Sequence, residues 1–274
     1  MIRLCDKMVF KNKVVLISGA TGGMGEEIAK LLSKEGCRLA LFARREEKLA
    51  EISKKLSEHK TQCIYKKCDV KNKDDIRDAV TLTYKQYKRI DIVILIAGIL
   101  VPNPIQRFDS SIIKETMDVN FMSDIYFLEY LLPIMKKQRS GIIAAVSTLP
   151  DKRGVAGWGA YGASKAALSL FMESLRAEIQ QRYGINIITI KPGSVETPMI
   201  EGKHRPGALQ PEEAAKIIVN GIRKRKKIIE FPLMQVLLTK IENLFPVWMY
   251  DKIPLHMQKA EGYPTVEEEY ELKT

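Results

Sequence analysis

Short apolar runs alternate with longer amphipathic stretches from residue 13 to residue 231. Residues 13–18 form a β-branched run that ends in glycines, and a helical pattern through Ile28, Leu31 and Leu32 follows. The same pair recurs at 38–43 and 46–56. A short strand is expected at 63–65, a helix at 74–87 and an apolar strand at 91–97. The second half continues with a long helix within 111–137, a strand at 142–147 and a strong helix within 158–183. In the last of these, Ala167, Leu168, Phe171, Leu175 and Ile179 recur at helical spacing. Residues 185–190 read as a strand ended by Lys191-Pro192-Gly193, a helix follows Pro211, and 227–231 reads as the final strand. Strict alternation with apolar strands predicts an α/β fold whose parallel sheet is covered by helices on both faces.

Beyond that point the pattern changes. From 234 to 257 it becomes apolar and aromatic, through Leu237, Leu238, Ile241, Leu244, Phe245, Trp248 and Met249. Such a stripe predicts a helix packed on the body of the protein or on a second subunit. The alternative is a substrate lid, or an interfacial membrane helix helped by the basic run Arg223, Lys224, Arg225, Lys226 and Lys227. No repeat or linker divides the chain. Residues 1–274 are therefore expected to form one domain, with 231–274 as a C-terminal helical extension.

Charge and cysteine content narrow the classes. The net charge is +11, but the cations are spread along the chain with one dense run, 223–227, read as a solvated helix end before a strand. No nucleic-acid motif accompanies them, so nucleic acid is not an expected partner. The four cysteines, Cys5, Cys37, Cys63 and Cys68, have neither C-x-x-C nor zinc spacing, so no metal site is expected. A reducing compartment fits them. The first 13 residues carry charges throughout, unlike a signal peptide, and no apolar run reaches the roughly 18 residues that cross a bilayer. The expected location is cytoplasmic.

Two segments carry chemistry. Ser18-Gly19-Ala20-Thr21-Gly22-Gly23-Met24-Gly25 follows the first strand and opens a helix. Glycines at 19, 23 and 25 let the backbone turn tightly beside a pyrophosphate, which the helix N-terminus attracts. Strand before and helix after are the context this cradle needs. A binder of NAD places an acid at the end of the second strand for the ribose hydroxyl. Ala43-Arg44-Arg45 stands there instead, and an arginine fork suits a 2′-phosphate. NADP(H) is therefore expected over NAD(H), with Arg44 the first choice for the phosphate and Arg45 the second.

Tyr161-Gly162-Ala163-Ser164-Lys165 sets a phenol and an ammonium four residues apart on one helix face. A phenol is a poor base at neutral pH, and an adjacent ammonium favours its phenolate. A phenol so tuned can exchange the proton of an alcohol while a cofactor moves the hydride. A neighbouring hydroxyl should polarise the carbonyl oxygen, from Ser147 or Thr148.

Glycine cradle, Tyr–Lys pair and their order together resemble the short-chain dehydrogenase/reductase family, from about Lys11 to Phe231. The resemblance implies a Rossmann-like doubly wound parallel sheet of about seven strands. It implies a catalytic set of Asn120, a hydroxyl residue, Tyr161 and Lys165. Asp69-Val70 looks like the family's pair beside the adenine. Asn120 is similar to the helix asparagine that anchors a water chain to the lysine. Pro192-Gly193-Ser194-Val195-Glu196-Thr197 resembles the segment over the nicotinamide, with Thr197 near its carboxamide. Two departures stand out. Leu95-Ile96-Ala97-Gly98 replaces the usual Asn-Asn-Ala-Gly, which keeps the backbone contact of Ala97 and Gly98 and loses the asparagine bonds. The family's serine lies thirteen residues before the tyrosine, which lands on Thr148, so Thr148 is preferred to Ser147.

Residues expected to line the substrate pocket are Leu100, Leu149, Val155, Trp158, Met199 and Ile200. They are largely apolar, so a lipophilic ketone, aldehyde or alcohol is expected. The main rival is a non-catalytic NADP-binding regulator on the same fold. A peripheral membrane protein is a third reading. Family habit implies a homodimer or homotetramer.

Overall fold

The computed structural model of the protein is described for residues 9–58, 60–197 and 207–252. Seven parallel strands form one sheet in the order β3-β2-β1-β4-β5-β6-β7. They are β1 (Val14–Ser18), β2 (Arg38–Ala43), β3 (Cys63–Lys67), β4 (Ile92–Leu95), β5 (Gly141–Val146), β6 (Ile185–Pro192) and β7 (Ile228–Phe231). Helices alternate with them: α1 (Gly23–Lys34), α2 (Glu46–Ser57), α3 (Lys73–Tyr87), α4 (Ser110–Met117), α5 (Ser123–Gln138), α6 (Gly159–Tyr183) and α7 (Pro211–Arg223). Two more, α8 (Leu233–Glu242) and α9 (Val247–Tyr250), follow the last strand. This is the expected Rossmann-like doubly wound sheet.

Alternating side chains of the strands feed two cores. Val15 and Ile17 of β1 join Ile28 and Leu32 of α1, Ile52 of α2 and Ile218 of α7. Val14 and Leu16 face the other way, onto Ile76 of α3, Phe127 and Leu131 of α5, and Leu168 and Met172 of α6. Because β1, β2, β4 and β5 are covered on both faces, their sequences read as continuous apolar runs. β3 ends the sheet with exposed Tyr65, Lys66 and Lys67, and lysines at an edge discourage pairing with another chain. Strand order reverses between β1 and β4, whose carboxyl ends therefore open the crevice where ligands bind in such sheets.

One expectation is corrected. The single helix read over 111–137 is α4 and α5 joined by a π turn, Asp118–Met122. Across the insertion the buried positions include polar Thr116, Asn120, Ser123 and Asp124, so the apolar pattern gives no register from which to read it. The C-terminal stripe turns most of its described apolar residues away from the body of this chain; a second subunit was the other cover expected for it. Val236 is buried, but Leu237 and Trp248 are 54% and 62% exposed, and Leu233, Met234, Leu238 and Leu244 also face outward. The contacts that hold α8 and α9 are largely polar. Arg153 donates to the carbonyls of Asn243 and Phe245 and lies over the Tyr250 ring, whose hydroxyl donates to Gly154 O. Residues 224–227 of the basic run are exposed before β7, as expected, whereas Arg223 is half-buried, paired with Glu35 and stacked over the Phe10 ring.

Candidate active site at the carboxyl edge of the sheet

The loop from β1 to α1 depends on missing side chains. Gly19 has φ +69°, and a Cβ there would sit 2.8 Å from Ala97 N. A Cβ on Gly25 would lie 2.5 Å from Gly19 O. Both positions exclude a side chain, which brings the loops after β1 and β4 together. Gly22 caps α1 without a side-chain bond, so the first amides of α1 have no side-chain acceptor from the cap. Thr197 closes over this end: its Cγ2 would be 3.4 Å from a Cβ on Gly23. Met24 packs on the core behind. An anionic dinucleotide fits this cradle of small residues and helix amides.

At the end of β2, Arg44 and Arg45 are exposed. Arg45 bends back to the cradle, with Nη2 donating to Thr21 O at 2.6 Å and Nε to Thr21 Oγ1 at 3.4 Å. The second-choice arginine thus touches the glycine loop. Asp69 uses its carboxylate in its own turn, accepting from Lys71 N at 3.0 Å, while Val70 is buried beside it. Where the family carries two asparagines, Leu95 and Ile96 pack into the two cores, and Ile96 N donates to Ser18 Oγ. Apolar packing has replaced the amide bonds.

Asn120 organises the next layer. Its Oδ1 accepts from Ile99 N at 2.8 Å, and its Nδ2 donates to Ile99 O and to Ser164 Oγ. Ser164 Oγ in turn donates to Tyr161 O. One side chain in the π turn therefore pins the loop after β4 to the first turns of α6. Lys165 is 4% exposed, and its Nζ donates to Val146 O at 2.7 Å. A Cβ on Gly98 would lie 3.2 Å from Asn120 Oδ1 and 3.7 Å from Lys165 Nζ. Gly98, Asn120 and Lys165 thus meet beside the glycine cradle. Tyr161 is half-buried one helical turn before Lys165.

The two hydroxyls after β5 differ in what they touch. Ser147 Oγ donates to Lys165 O at 2.9 Å and accepts from Ser169 Oγ, so it is committed to α6. Thr148, 7% exposed, is the next residue.

Burial shapes the electrostatics. Desolvation pushes the Lys165 ammonium down to about 8, against the pull of Asp124. Asp124 is 2% exposed at the start of α5, and desolvation pushes its carboxyl up, opposed by Lys165 and Ser123. Sequence reading missed this acid. Its signal was present: an aspartate in register with the buried Phe127, Leu128, Leu131 and Met135 of an apolar stripe.

The segment 192–197 is held from several sides. Leu149 N donates to Pro192 O, Gly193 N donates to Phe231 O, and Val195 bridges to Leu209. Gln235 of α8, also missed, accepts from Ser194 N at 2.8 Å and donates to Gly207 O. Just before the segment, Lys191 forms a 2.6 Å buried ion pair with Asp151. Of the expected pocket residues, Leu149 is buried and Leu100, Val155 and Trp158 are half-buried. Met199 and Ile200 lie outside the described residues. A surface cavity is lined by Lys152, Arg153, Lys240, Asn243 and Leu244, none of which was expected.

Comparison with known proteins agrees with this geometry. A family model described as short chain dehydrogenase matches residues 13–206. An uncharacterized oxidoreductase of Listeria monocytogenes is 33% identical over 71% of this chain and 79% of its own. An 11-beta-hydroxysteroid dehydrogenase A of Sesamum indicum is 33% identical over 70% of this chain and 55% of its own. In fold, the chain superposes with a TM-score of 0.80 on a short chain dehydrogenase/reductase of Burkholderia phymatum solved with NAD. That match covers 94% of this chain and 99% of the other at 18% identity. With the cradle, the π-turn asparagine and the buried lysine assembled at one sheet edge, the family match stands on structure as well as sequence: the chain is an oxidoreductase of the short chain dehydrogenase family.

Proposed function

We propose that this oxidoreductase interconverts a carbonyl and an alcohol, with NADP(H) preferred over NAD(H) and Tyr161 as general acid and base. The observation that carries the reading is Lys165: a buried ammonium site, one helical turn from Tyr161, fixed by Val146 O beside Gly98 and the glycine cradle. When bound, a nicotinamide dinucleotide supplies the hydride chemistry of such a site. The amides of α1 and Gly19, Thr21, Gly23 and Gly25 hold its diphosphate, Arg44 and Arg45 its 2′-phosphate, and Asp69 and Val70 its adenine. Ala97, Gly98, Val195 and Thr197 flank the reactive ring.

In the reducing direction the carbonyl carbon gains a hydride and its oxygen gains the Tyr161 proton, which leaves a phenolate. The Lys165 ammonium stabilises that phenolate. Thr148 donates a hydrogen bond to the same oxygen, a role Ser147 cannot share while its proton is on Lys165 O. Asn120 keeps α6 in register through Ser164. A lipophilic substrate is favoured by the expected lining of Leu100, Leu149, Val155 and Trp158. The steroid dehydrogenase relative points to the same class.

The test is NADPH consumption with matched panels of hydrophobic and highly polar ketones and aldehydes. The hydrophobic panel should turn over faster, and Tyr161→Phe should lower kcat by about 10²-fold or more while NADPH still binds. Equal turnover by Tyr161→Phe would remove the phenol from the mechanism. Faster turnover of the polar panel would refute the substrate class.

A further inference from the structure

Gln235 makes two hydrogen bonds that have no part in the chemistry above. It stands half-buried in the first turn of α8, among residues whose apolar side chains face outward: Leu233, Met234, Leu237 and Leu238 are all exposed. Its amide reaches the other way. Oε1 accepts from Ser194 N at 2.8 Å, and Nε2 donates to Gly207 O at 3.2 Å. One neutral amide thus serves a backbone donor and a backbone acceptor together. A carboxylate could only accept, and an apolar side chain could do neither. The room for this amide comes from a missing side chain, since a Cβ on Gly193 would overlap Gln235 Oε1.

The two segments that the amide joins lead to the glycine cradle. Val195 pairs with Leu209 in a parallel bridge, closed by bonds from Leu209 N to Ser194 O and from Glu196 N to Leu209 O. Just beyond the bridge, Thr197 Cγ2 and Pro211 Cγ would each lie 3.4 Å from a Cβ on Gly23. Gly193 N donates to Phe231 O, two residues before α8 begins, so helix and segment leave the sheet side by side. The register of 193–195 therefore determines where Val195 and Thr197 stand over the cradle.

We propose that Gln235 is a positioning residue that holds segment 193–197 in register over the cradle, and so sets the affinity of the site for the nicotinamide end of the dinucleotide. This rests on the reading above, in which Val195 and Thr197 flank the reactive ring. Gln235 acts through Ser194 and Gly207. The amides of α1 and the arginines after β2 belong to other segments, so the grip on the diphosphate and the 2′-phosphate should not depend on it.

Two ligands separate these grips without turnover: NADPH, and 2′-phospho-ADP-ribose, which lacks the nicotinamide ring. Each is titrated by calorimetry into the wild type and into Gln235→Met, which removes both bonds. NADPH affinity should fall about tenfold, the order expected for hydrogen bonds lost from the segment. Affinity for 2′-phospho-ADP-ribose should not change. A loss shared equally by the two ligands marks a structural role and refutes the proposal, as does no loss for either. Should Gln235→Met not fold, Gln235→Glu replaces it, with the same selective loss expected and the same outcomes refuting it. By NMR, the Ser194 amide proton should exchange at least tenfold faster in the variant than in the wild type; equal exchange overturns the proposal. A wild type that prefers NADH sinks the NADP(H) reading alone, and the comparison then uses NADH and ADP-ribose. A wild type that binds neither dinucleotide sinks the cofactor reading and this proposal with it. A wild type that binds one while the variant loses nothing sinks the proposal alone.

Discussion

Arg44 and Arg45 are adjacent and both charged, yet their surroundings differ. Arg45 already spends two of its donors on Thr21. Arg44 is exposed at the mouth of the same crevice. A charge-assisted bond to a phosphate oxygen contributes about 1.5–3 kcal/mol, which is roughly 10- to 150-fold in affinity. Titration with NADPH and NADH should show the proposed preference for NADPH in the wild type and its reversal in Arg44→Asp. Arg45→Ala should also weaken binding, with part of its effect falling on both cofactors because Arg45 braces Thr21 of the glycine loop proposed to hold the diphosphate. Unchanged selectivity in both variants would remove the arginines from cofactor choice. Similar reasoning separates Ser147 from Thr148. A residue's chemistry is set by the bonds it is free to make, and Ser147 has committed its proton to Lys165 O.

At the scale of elements, the site depends on two places where regular structure is interrupted. One is the π turn, whose extra residue lets Asn120 reach Ile99 and Ser164 together. π turns recur at functional sites because they reorient one residue without ending the helix. The other is the glycine turn between β1 and α1. A methyl group added at Gly25 meets Gly19 O at 2.5 Å, and neither partner is a flexible side-chain end. Gly25→Ala should therefore lower stability by about 1–3 kcal/mol and weaken NADPH binding at least tenfold. Urea denaturation and fluorescence titration measure the two effects. A variant that binds NADPH as the wild type does would show that the loop can shift without loss of the cradle.

For the molecule as a whole, stability lies in the sheet and its two cores, and little of it in the C-terminal helices. Ile94 of β4 is fully buried among both strands and helices. Ile94→Ala should cost about 2–5 kcal/mol. Leu237 on α8 shows more than half of its surface, so Leu237→Ala should stay within about 0.5 kcal/mol of the wild type. Comparison of urea midpoints checks both. A loss at Leu237 as large as at Ile94 would mean that another surface covers α8 in solution. Among the described residues no helix is long and apolar enough to cross a membrane.

The sequence by itself determined the alternation of strands and helices, because burial on both faces writes a strand as an apolar run and a covering helix as a stripe. It also determined the glycine turn and the Tyr161–Lys165 spacing, since both are local: the first needs absent side chains, the second the pitch of one helix. Tertiary structure decided what depends on partners distant in the chain. It put the π turn inside a helical stretch whose buried face is polar at that point, because the anchor is Ile99, some twenty residues earlier. It turned Ser147 toward α6, buried Asp124 on the core face of α5, and left the C-terminal stripe exposed with Arg153 as its polar tie. A local pattern records how much of a residue is buried and on which face. Which group meets it there is fixed by packing between elements, and on that the pairing of charges depends.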